Sequence, residues 1–400
     1  MNAAAIITEY NPFHNGHKYH IEKTRGLTGA DCVIAIMSGN FTQRGEPAVF
    51  DKFIRTQMAL ENGADIVVEL PVFYAVSSSE YFSDAAVRLM NAAGIITHIS
   101  FGSESGNLDD IRLVSDALHT RGEAVNQMTR AFMSEGIPYF AAREKSLSSI
   151  LRISKDFIRQ PNNILAVGYM KSLAETQSAV IPMTVKRADA GYHETASGLR
   201  RSIMAKDYPA LAEYMPESAF FLTLKYLSGY GCADIGRYGD ILQYLLRTKP
   251  MGGIRAVLDM NDGVAERMVK LCGQYRELTD LIGAVKTKRY AYARLRRAVM
   301  HLLLDIRHDT FDMFNQTGGP RYIRVLGFRK DAARLLGDLT EHATLPVITD
   351  LKKADGVLDE LGMTMLNKDI ESTDIYYLAC ENVKNTHGVR HEYYRGIIVV

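Results

Sequence analysis

Two histidines three residues apart, His14 and His17, have the spacing in this 400-residue chain that most clearly indicates chemistry. They follow a predicted strand that ends at Ile7, and a helix is expected to begin near Gly16. The first N–H groups of a helix lack partners inside it and carry partial positive charge, which suits a phosphate. One helical turn can aim both imidazoles at one anion, where two donors would stabilise the charge that builds on an α-phosphate during in-line displacement.

The elements that must position these histidines are predicted from short apolar runs that alternate with helical patterns. This alternation favours an α/β fold with a parallel, doubly wound, Rossmann-like sheet. Ligands of such a sheet bind at the carboxyl ends of its strands, where the polar segments after the first, second and fourth strands would lie. The predicted strands are residues 4–7, 31–37, 66–70, 98–101 and 180–185, and the predicted helices are residues 17–25, 51–62, 79–93 and most of 108–180.

The pattern changes beyond about residue 200, where long amphipathic helices predominate and few strands are predicted. A chain of 400 residues is also too long for one small core. We therefore predict two domains, an α/β domain over residues 1–204 and a mainly α-helical domain over residues 205–400.

The composition excludes several classes of protein. Because the formal net charge is only +1, a nucleic-acid site would have to be a local patch. The cysteines are too far apart for a zinc site or a disulfide framework, so we predict reduced thiols and no metal site. The N-terminal apolar run is too short for a signal peptide and no stretch reaches transmembrane length, which predicts a cytoplasmic protein with no membrane partner. The cysteines are Cys32, Cys232, Cys272 and Cys380.

Four motifs together resemble the bacterial tRNA(Met) cytidine acetate ligase family. The first contains the His-x-Gly-His signature of the nucleotidyltransferase superfamily, which class I aminoacyl-tRNA synthetases share. The resemblance runs through most of the chain and is densest before residue 205. The motifs are Glu9-Tyr-Asn-Pro-Phe-His-Asn-Gly-His17, Met37-Ser-Gly-Asn-Phe-Thr-Gln-Arg-Gly-Glu-Pro-Ala48, Phe101-Gly-Ser-Glu104 and Pro161-Asn-Asn-Ile-Leu165.

This resemblance implies a two-step reaction. Acetate and ATP, the latter as its Mg²⁺ complex, would give acetyl-adenylate and pyrophosphate. The acetyl group would then pass to the exocyclic amine of the wobble cytidine of elongator tRNA(Met), giving N4-acetylcytidine and AMP. Residues 1–204 would hold ATP, and residues 205–400 would hold the tRNA. No tightly bound cofactor and no covalent enzyme intermediate are expected.

The resemblance also implies which residues form the ATP site, with His14 and His17 catalytic. A side chain at Gly102 would crowd the adenosine, although a turn glycine is the alternative. Asn162 and Asn163 begin a helix, where capping alone explains one of them. Arg187 would face a phosphate unless it is a plain surface arginine. The expected ATP-binding residues are Ile7, Thr8, Glu9, Tyr10, Asn11, Pro12, Phe13, His14, Asn15, Gly16, His17, Lys18, Tyr19, His20, Gly102, Asn162, Arg187, Ser197 and Arg200.

The segment Ser197-Gly-Leu-Arg200 resembles the second phosphate-binding element of the superfamily. Gly198 stands where that element carries a hydroxyl residue, so Arg200 is the expected pyrophosphate contact.

The loop over residues 38–46 is long for a connector and follows the carboxyl end of a predicted strand, which favours binding over a merely solvated loop. Its polar residues are Asn40, Gln43, Arg44 and Glu46. Lys52 and Arg55 begin the next predicted helix, where they can equally be surface charges.

A basic stretch over residues 286–306 is the candidate RNA-binding element. As one helix it would place its basic residues and a tyrosine on one side and an apolar stripe on the other, with no acidic residue before Asp305. Such a face suits an RNA backbone, unless acids elsewhere in the fold neutralise it. The expected tRNA-binding residues are Lys286, Arg289, Tyr290, Arg294, Arg296 and Arg297, with Arg321, Arg324, Arg329 and Lys330 as an extension.

Two other functions remain open from the sequence. A nucleotidyltransferase that makes a dinucleotide cofactor from a phosphorylated small molecule would have no use for the basic stretch. A non-catalytic RNA-binding protein on the same fold would not need both imidazoles.

Overall fold

A computed structural model describes residues 2–151, 155–187, 196–261, 263–287, 290–382, 384–386 and 388–400. Most of the described strands lie in one sheet, and helices surround it. The strands are β1 (Ala3–Thr8), β2 (Cys32–Ser38), β3 (Phe41–Thr42), β4 (Glu46–Pro47), β5 (Ile66–Leu70), β6 (Ile96–Ser103), β7 (Ile181–Lys186), β8 (Ile323–Phe328), β9 (Val347–Ile348) and β10 (Ile398–Val399). The helices are α1 (Asn15–Thr28), α2 (Lys52–Glu61), α3 (Val72–Ala75), α4 (Ser79–Ala92), α5 (Leu108–Ser134), α6 (Tyr139–Ile150), α7 (Lys155–Arg159), α8 (Pro161–Glu175), α9 (Ala196–Met204), α10 (Tyr208–Tyr214), α11 (Glu217–Tyr230), α12 (Gly239–Thr248), α13 (Met251–Arg255), α14 (Val264–Cys272), α15 (Leu278–Val285), α16 (Tyr292–Leu303), α17 (His308–Gln316), α18 (Ala333–His342) and α19 (Glu360–Tyr377), with short 3-10 helices at Ile235–Tyr238, Lys330–Ala332, Leu351–Gly356 and His391–Tyr394.

The large sheet has the strand order β10-β8-β5-β2-β1-β6-β7, with β9 paired to β8. Neighbouring strands are parallel except for β5 and β8, which are antiparallel. Strands β1, β2 and β5 are almost entirely buried, as continuous apolar runs require when helices cover both faces. The predicted parallel α/β sheet with its surrounding helices is therefore confirmed.

The strand order creates a crevice between β1 and β6. From β1 the chain passes to β2 and β5 on one side, and then returns to β6 and β7 on the other. A ligand in such a sheet binds where the direction of winding reverses, beyond the carboxyl ends of the strands. Helix α1, which carries the two histidines, begins at this place.

The C-terminal half also contributes to the sheet. Strand β8 lies antiparallel to β5, and β9 and β10 flank β8, so residues beyond 320 extend the sheet that residues 3–70 begin. The sequence did not predict these strands because β9 and β10 have only two residues each, and β8 (Ile-Arg-Val-Leu-Gly-Phe) contains an arginine and a glycine. The division at residues 204 and 205 stays a prediction, but the sheet runs across it.

The predicted helix over residues 286–306 is wrong in its extent. Helix α15 ends at Val285, Lys286 has an extended backbone, and α16 begins only at Tyr292. The ring of Tyr290 lies in the hydrophobic core and is 7% exposed, which requires the chain to turn inward before α16. Lys286 and Tyr290 therefore do not share a helical face with the later arginines. Arg289 lies outside the described residues.

Within the described part of the chain, no helix combines the length and the apolar character needed to cross a membrane.

Candidate active site

His14 and His17 are brought together at the first turn of α1. His14 is the N-cap residue, with an extended backbone, and its Nδ1 accepts a hydrogen bond from the Gly16 N–H at 3.0 Å. The Nδ1 of His17 accepts from the His14 N–H at 3.2 Å. The two rings stack with their centroids 3.8 Å apart. This reciprocal capping explains why two histidines three residues apart begin a helix.

The same hydrogen bonds determine which tautomer each imidazole adopts. A neutral imidazole has one N–H donor and one acceptor nitrogen, and in both rings Nδ1 is the acceptor. The proton therefore lies on Nε2 of His14 and on Nε2 of His17. Both N–H donors of the stacked pair are thus Nε2 groups, and their use on one anion stays a prediction.

The residues before His14 pack against the histidine pair on the side of the protein core. Tyr10 and Phe13 are buried, and their ring centroids lie 4.9 and 5.6 Å from that of His17. Tyr10 adopts a φ of 46°, which costs a bulky residue energy and needs packing to hold it. Asn11 accepts from the Val49 N–H at 2.8 Å. These expected ATP-binding residues turn their side chains inward, so a contact with ATP would be through the backbone.

The other expected residues of this segment lie around the same turn. Ile7 and Thr8 end β1, Pro12 is buried in the loop, and Asn15 donates to the Glu213 carbonyl at 3.2 Å. Lys18 and Tyr19 are exposed on α1.

Arg55 is a structural residue that sequence reasoning left undecided. It is fully buried, and its guanidinium donates to the carbonyls of Glu9 at 2.5 Å, Ser38 at 3.2 Å and Phe50 at 2.9 Å, and also to that of Gly39. One side chain thus ties the carboxyl end of β1 to that of β2. The surface-charge alternative is wrong for Arg55, because these carbonyls replace water as its partners.

Lys52 is likewise buried, within a cluster of charges. Its Nζ lies 2.6 Å from both Glu69 and Glu392, and Arg324 pairs with the same two carboxylates, at 3.0 Å from Glu69. The suggestion that Arg324 extends an exposed basic patch is therefore wrong, because these carboxylates hold it inside the protein. Arg321 and Arg329 pair with Asp359 and Asp331 at the surface, and Lys330 is exposed.

Gly102, Arg187 and His20 lie together at the ends of β6 and β7. A Cβ on Gly102 would lie 3.5 Å from Cγ of Arg187. His20 is within hydrogen-bond distance of the Ser100 hydroxyl, at 3.0 Å. Burial, and secondarily the charge of Arg187, lowers the pKa of His20 to about 4. His20 is therefore neutral at pH 7, whereas the nearby guanidinium of Arg187, at the end of β7, is positively charged.

Two of the sequence motifs meet at the start of α8. The Glu104 carboxylate accepts from the side chain of Asn162 at 2.6 Å and from the N–H of Asn163 at 3.0 Å. The buried Asn163 side chain accepts in return from the Glu104 N–H at 3.1 Å. Glu104 is a helix cap that the sequence analysis missed, since its partner helix lies 58 residues away along the chain.

Arg200 reaches the histidine loop from α9. It donates to the Asn11 carbonyl at 2.7 Å and to the Ser197 hydroxyl at 3.1 Å. Glu46 forms an ion pair with Arg200 at 3.5 Å and also pairs with Arg296 of α16. A cavity of about 580 Å³ opens beside Glu46, Ser197 and Arg200. The Ser197–Arg200 segment therefore lies next to the histidine loop, and its role in binding phosphate stays a prediction.

The remaining arginines of α16 have acidic partners. Arg294 and Arg297 lie 3.4 and 3.5 Å from the carboxylate of Asp259, and Arg294 also donates to Asn261 at 2.5 Å. Lys286 is exposed. The sequence left open that acids elsewhere in the fold neutralise this basic face. For Arg294 and Arg297, such an acid is present.

Two imidazole donors and an arginine at the reversal point of a parallel sheet are the parts of a nucleotidyltransferase site. A family model described as HIGH Nucleotidyl Transferase matches residues 1–391.

The relatives narrow this class. The tRNA(Met) cytidine acetate ligase of Thermoanaerobacter sp. (strain X514) is 37% identical over 395 residues, which are 96% of each chain. That of Clostridium perfringens (strain ATCC 13124) is 34% identical over 402 residues, with 96% of this chain and 97% of the relative covered. The crystal structure of Thermotoga maritima TmcAL bound with alpha-thio ATP matches the whole of both chains, with a TM-score of 0.93 at 29% identity. The chain belongs to the tRNA(Met) cytidine acetate ligase family, a family of ligases.

Proposed function

We propose that this protein acetylates the wobble cytidine of elongator tRNA(Met) to N4-acetylcytidine, using acetate and ATP through an acetyl-adenylate. The observation that carries the proposal is the stacked His14 and His17 pair at the start of α1, in which each Nδ1 accepts a backbone N–H and each Nε2 carries the proton. The names of the relatives supply the substrate. The ligand of the Thermotoga maritima protein supplies the nucleotide. Like a tRNA-modifying enzyme in general, the protein would work in the cytoplasm.

In the first step an acetate oxygen attacks the α-phosphorus of ATP, which binds as its Mg²⁺ complex. The new P–O bond forms as the bond to the β-phosphate breaks, and pyrophosphate leaves. Charge that builds on the α-phosphate oxygens is stabilised by Nε2–H of His14 and of His17. Arg200 and Arg187 hold the phosphates from either side of the crevice. Holding both reactants in line makes the attack effectively unimolecular.

In the second step the cytidine N4 attacks the acetyl carbonyl, loses a proton and releases AMP. Residues of the C-terminal half would hold the tRNA, with Lys286, Arg289 and the arginines of α16 as the proposed contact region; Tyr290 is left out because it is buried in the core. Arg294 and Arg297 already pair with Asp259. A tRNA phosphate that binds them would therefore join an existing ion pair, and would not bind fully hydrated arginines.

The test supplies labelled acetate, ATP and total tRNA, and then identifies acetylated nucleosides and nucleotide products. We expect N4-acetylcytidine in elongator tRNA(Met), with AMP and pyrophosphate in equal amounts. Reactions without acetate or without tRNA are the controls. The reaction that has acetate and ATP but no tRNA should still exchange labelled pyrophosphate into ATP. Stoichiometric ADP would contradict attack at the α-phosphate, and unmodified tRNA would contradict the assigned substrate.

A further inference from the structure

The β3–β4 hairpin connects the histidine loop to α16. On one side, the Gln43 N–H donates to the Glu9 carboxylate at 2.8 Å. On the other side, Gly45 lies against the backbone of α16, since a Cβ there would come within 2.5 Å of the Arg297 nitrogen. The second turn of α16 is thereby fixed at the edge of the proposed nucleotide site, although the sequence analysis assigned it to tRNA.

Charges at this junction are unequal. Arg44, Arg200 and Arg296 lie near the two carboxylates of Glu9 and Glu46. The pKa of Arg200 is lowered first by burial, and the charges of Arg44 and Arg296 lower it further. Burial raises the pKa of Glu9, while the hydrogen bond from the Gln43 N–H and the charge of Arg44 oppose this rise. The junction therefore carries excess positive charge and favours an anion.

Arg296 differs from its neighbours on α16 in its partner. Its guanidinium shares Glu46 with Arg200, whereas Arg294 and Arg297 share Asp259 on another side of the helix. Its side chain is 21% exposed, and its partner Glu46 also pairs with Arg200, which donates to the histidine loop at the Asn11 carbonyl. Two guanidiniums converging on one carboxylate have the geometry that also suits the oxygens of a phosphate group.

We propose that Arg296 binds the β- and γ-phosphates of ATP together with Arg200, and that Glu46 competes with those phosphates for the two guanidiniums. This inference rests on the proposed use of ATP. It moves Arg296 from the tRNA surface to the nucleotide site, so that the C-terminal half supplies part of that site.

The test compares binding of ATP and of AMP to the full-length protein. Arg296→Gln should weaken ATP binding about 10- to 100-fold, the effect of one hydrogen bond between charged groups, and should leave AMP binding within about twofold. Arg296→Lys should restore part of the loss, because it keeps the charge without the forked geometry. Arg255→Gln is the matched control, since Arg255 pairs with Glu266 at 2.5 Å on the exposed surface of the same half.

Glu46→Gln should change ATP affinity in the opposite direction from Arg296→Gln. Removing the competing charge should tighten ATP binding, whereas an Arg296 that only holds the loop through Glu46 predicts weaker binding in both variants. Equal loss of ATP and AMP in Arg296→Gln, or a loss confined to tRNA binding, overturns the proposal. The binding assay needs neither acetate nor tRNA. It therefore measures the contribution of Arg296 to ATP affinity even if the wild-type protein does not activate acetate and the proposed function is wrong.

Discussion

His14 and His17 combine two tasks that usually belong to different residues. Each Nδ1 caps a backbone N–H of α1, and this leaves each Nε2 as a donor. The cap and the donor are coupled, because a ring rotated to break the cap would also move its proton. A substitution can separate the two tasks, since asparagine also caps helices well.

We predict that His14→Asn and His17→Ala each lower acetyl-adenylate formation by on the order of 10²–10³, the usual cost of one oxyanion donor. ATP affinity should fall much less, because the donors act mainly on charge that develops in the transition state. The measurement is acetate-dependent exchange of pyrophosphate into ATP.

Thermal unfolding provides the control for the cap. His14→Asn should unfold near the wild-type temperature, whereas His14→Ala should lose about 1 kcal/mol of stability with the missing cap. Near-normal exchange in His14→Asn would show that the imidazole is only a cap.

Asp369 should make stability depend on pH. Burial, and next the charge of Glu69, raises the pKa of this carboxyl from 3.8 to about 7. The folded protein then holds a proton that the unfolded chain releases, so the stabilisation is complete below pH 3.8 and is lost as the pH rises through about 7. Asp369→Asn keeps a neutral side chain that can still accept from the Val72 N–H, at 2.7 Å in the wild type.

We expect the free energy of unfolding of the wild type to fall relative to that of Asp369→Asn between pH 4 and 7. The comparison must use this difference, because His20, whose pKa is lowered to about 4, destabilises both proteins as the pH falls. Urea unfolding of both proteins across this pH range measures the difference in free energy of unfolding. If the free energies of the two proteins change in parallel with pH, Asp369 does not titrate in this range.

At the scale of elements, the β3–β4 hairpin decides whether α16 belongs to the nucleotide site. Its docking depends on Gly45, which has a φ of 73° and lies in backbone contact with α16. An added methyl group meets backbone atoms that cannot rotate away. The hairpin and α16 are therefore expected to move together.

Gly45→Ala should destabilise the protein by about 1–3 kcal/mol from backbone conformation alone, with the clash adding to it. It should also reduce pyrophosphate exchange, because the hairpin holds Glu9 and Glu46. Gly283→Ala is the control: Gly283 lies within α15 with open space around it, and alanine there should stabilise by about 0.5–1 kcal/mol. Equal behaviour of the two variants in unfolding and exchange would exclude the docking contact.

At the scale of the whole molecule, buried charges join the two ends of the chain. Lys52 lies in α2 and Glu69 in β5, whereas Arg324 lies in β8 and Glu392 in the 3-10 helix at His391–Tyr394. Each charge is balanced only when all four are present. The C-terminal segment thus completes the part of the protein that holds the loop over residues 38–46.

Glu392→Gln should cost about 3–5 kcal/mol, because it leaves Lys52 and Arg324 buried with one carboxylate between them. Asp331→Asn removes an exposed partner of Arg329 and should change the free energy of unfolding little. Chemical denaturation of both variants is the measurement, and equal effects would mean that the buried cluster does not connect the two halves.

The sequence by itself determined the features that depend on neighbouring residues. Strand burial follows from continuous apolar runs such as Cys32–Ser38, and the start of α1 follows from the capping pair His14 and His17. The parallel sheet and the edge at which ligands bind follow in turn from the alternation of strands and helices. These patterns extend over a few residues each, so they can be recognised without knowing the fold.

Only the tertiary structure decided the partners of the charged residues. Whether Arg55 lies in water or against backbone carbonyls depends on β1 and β2 meeting beside α2. Whether Arg296 faces RNA or the nucleotide depends on Glu46, which lies 250 residues away in the sequence. Charged side chains have the same appearance in a sequence whether they are solvated or paired, because the energy that places them comes from groups that only the fold brings near.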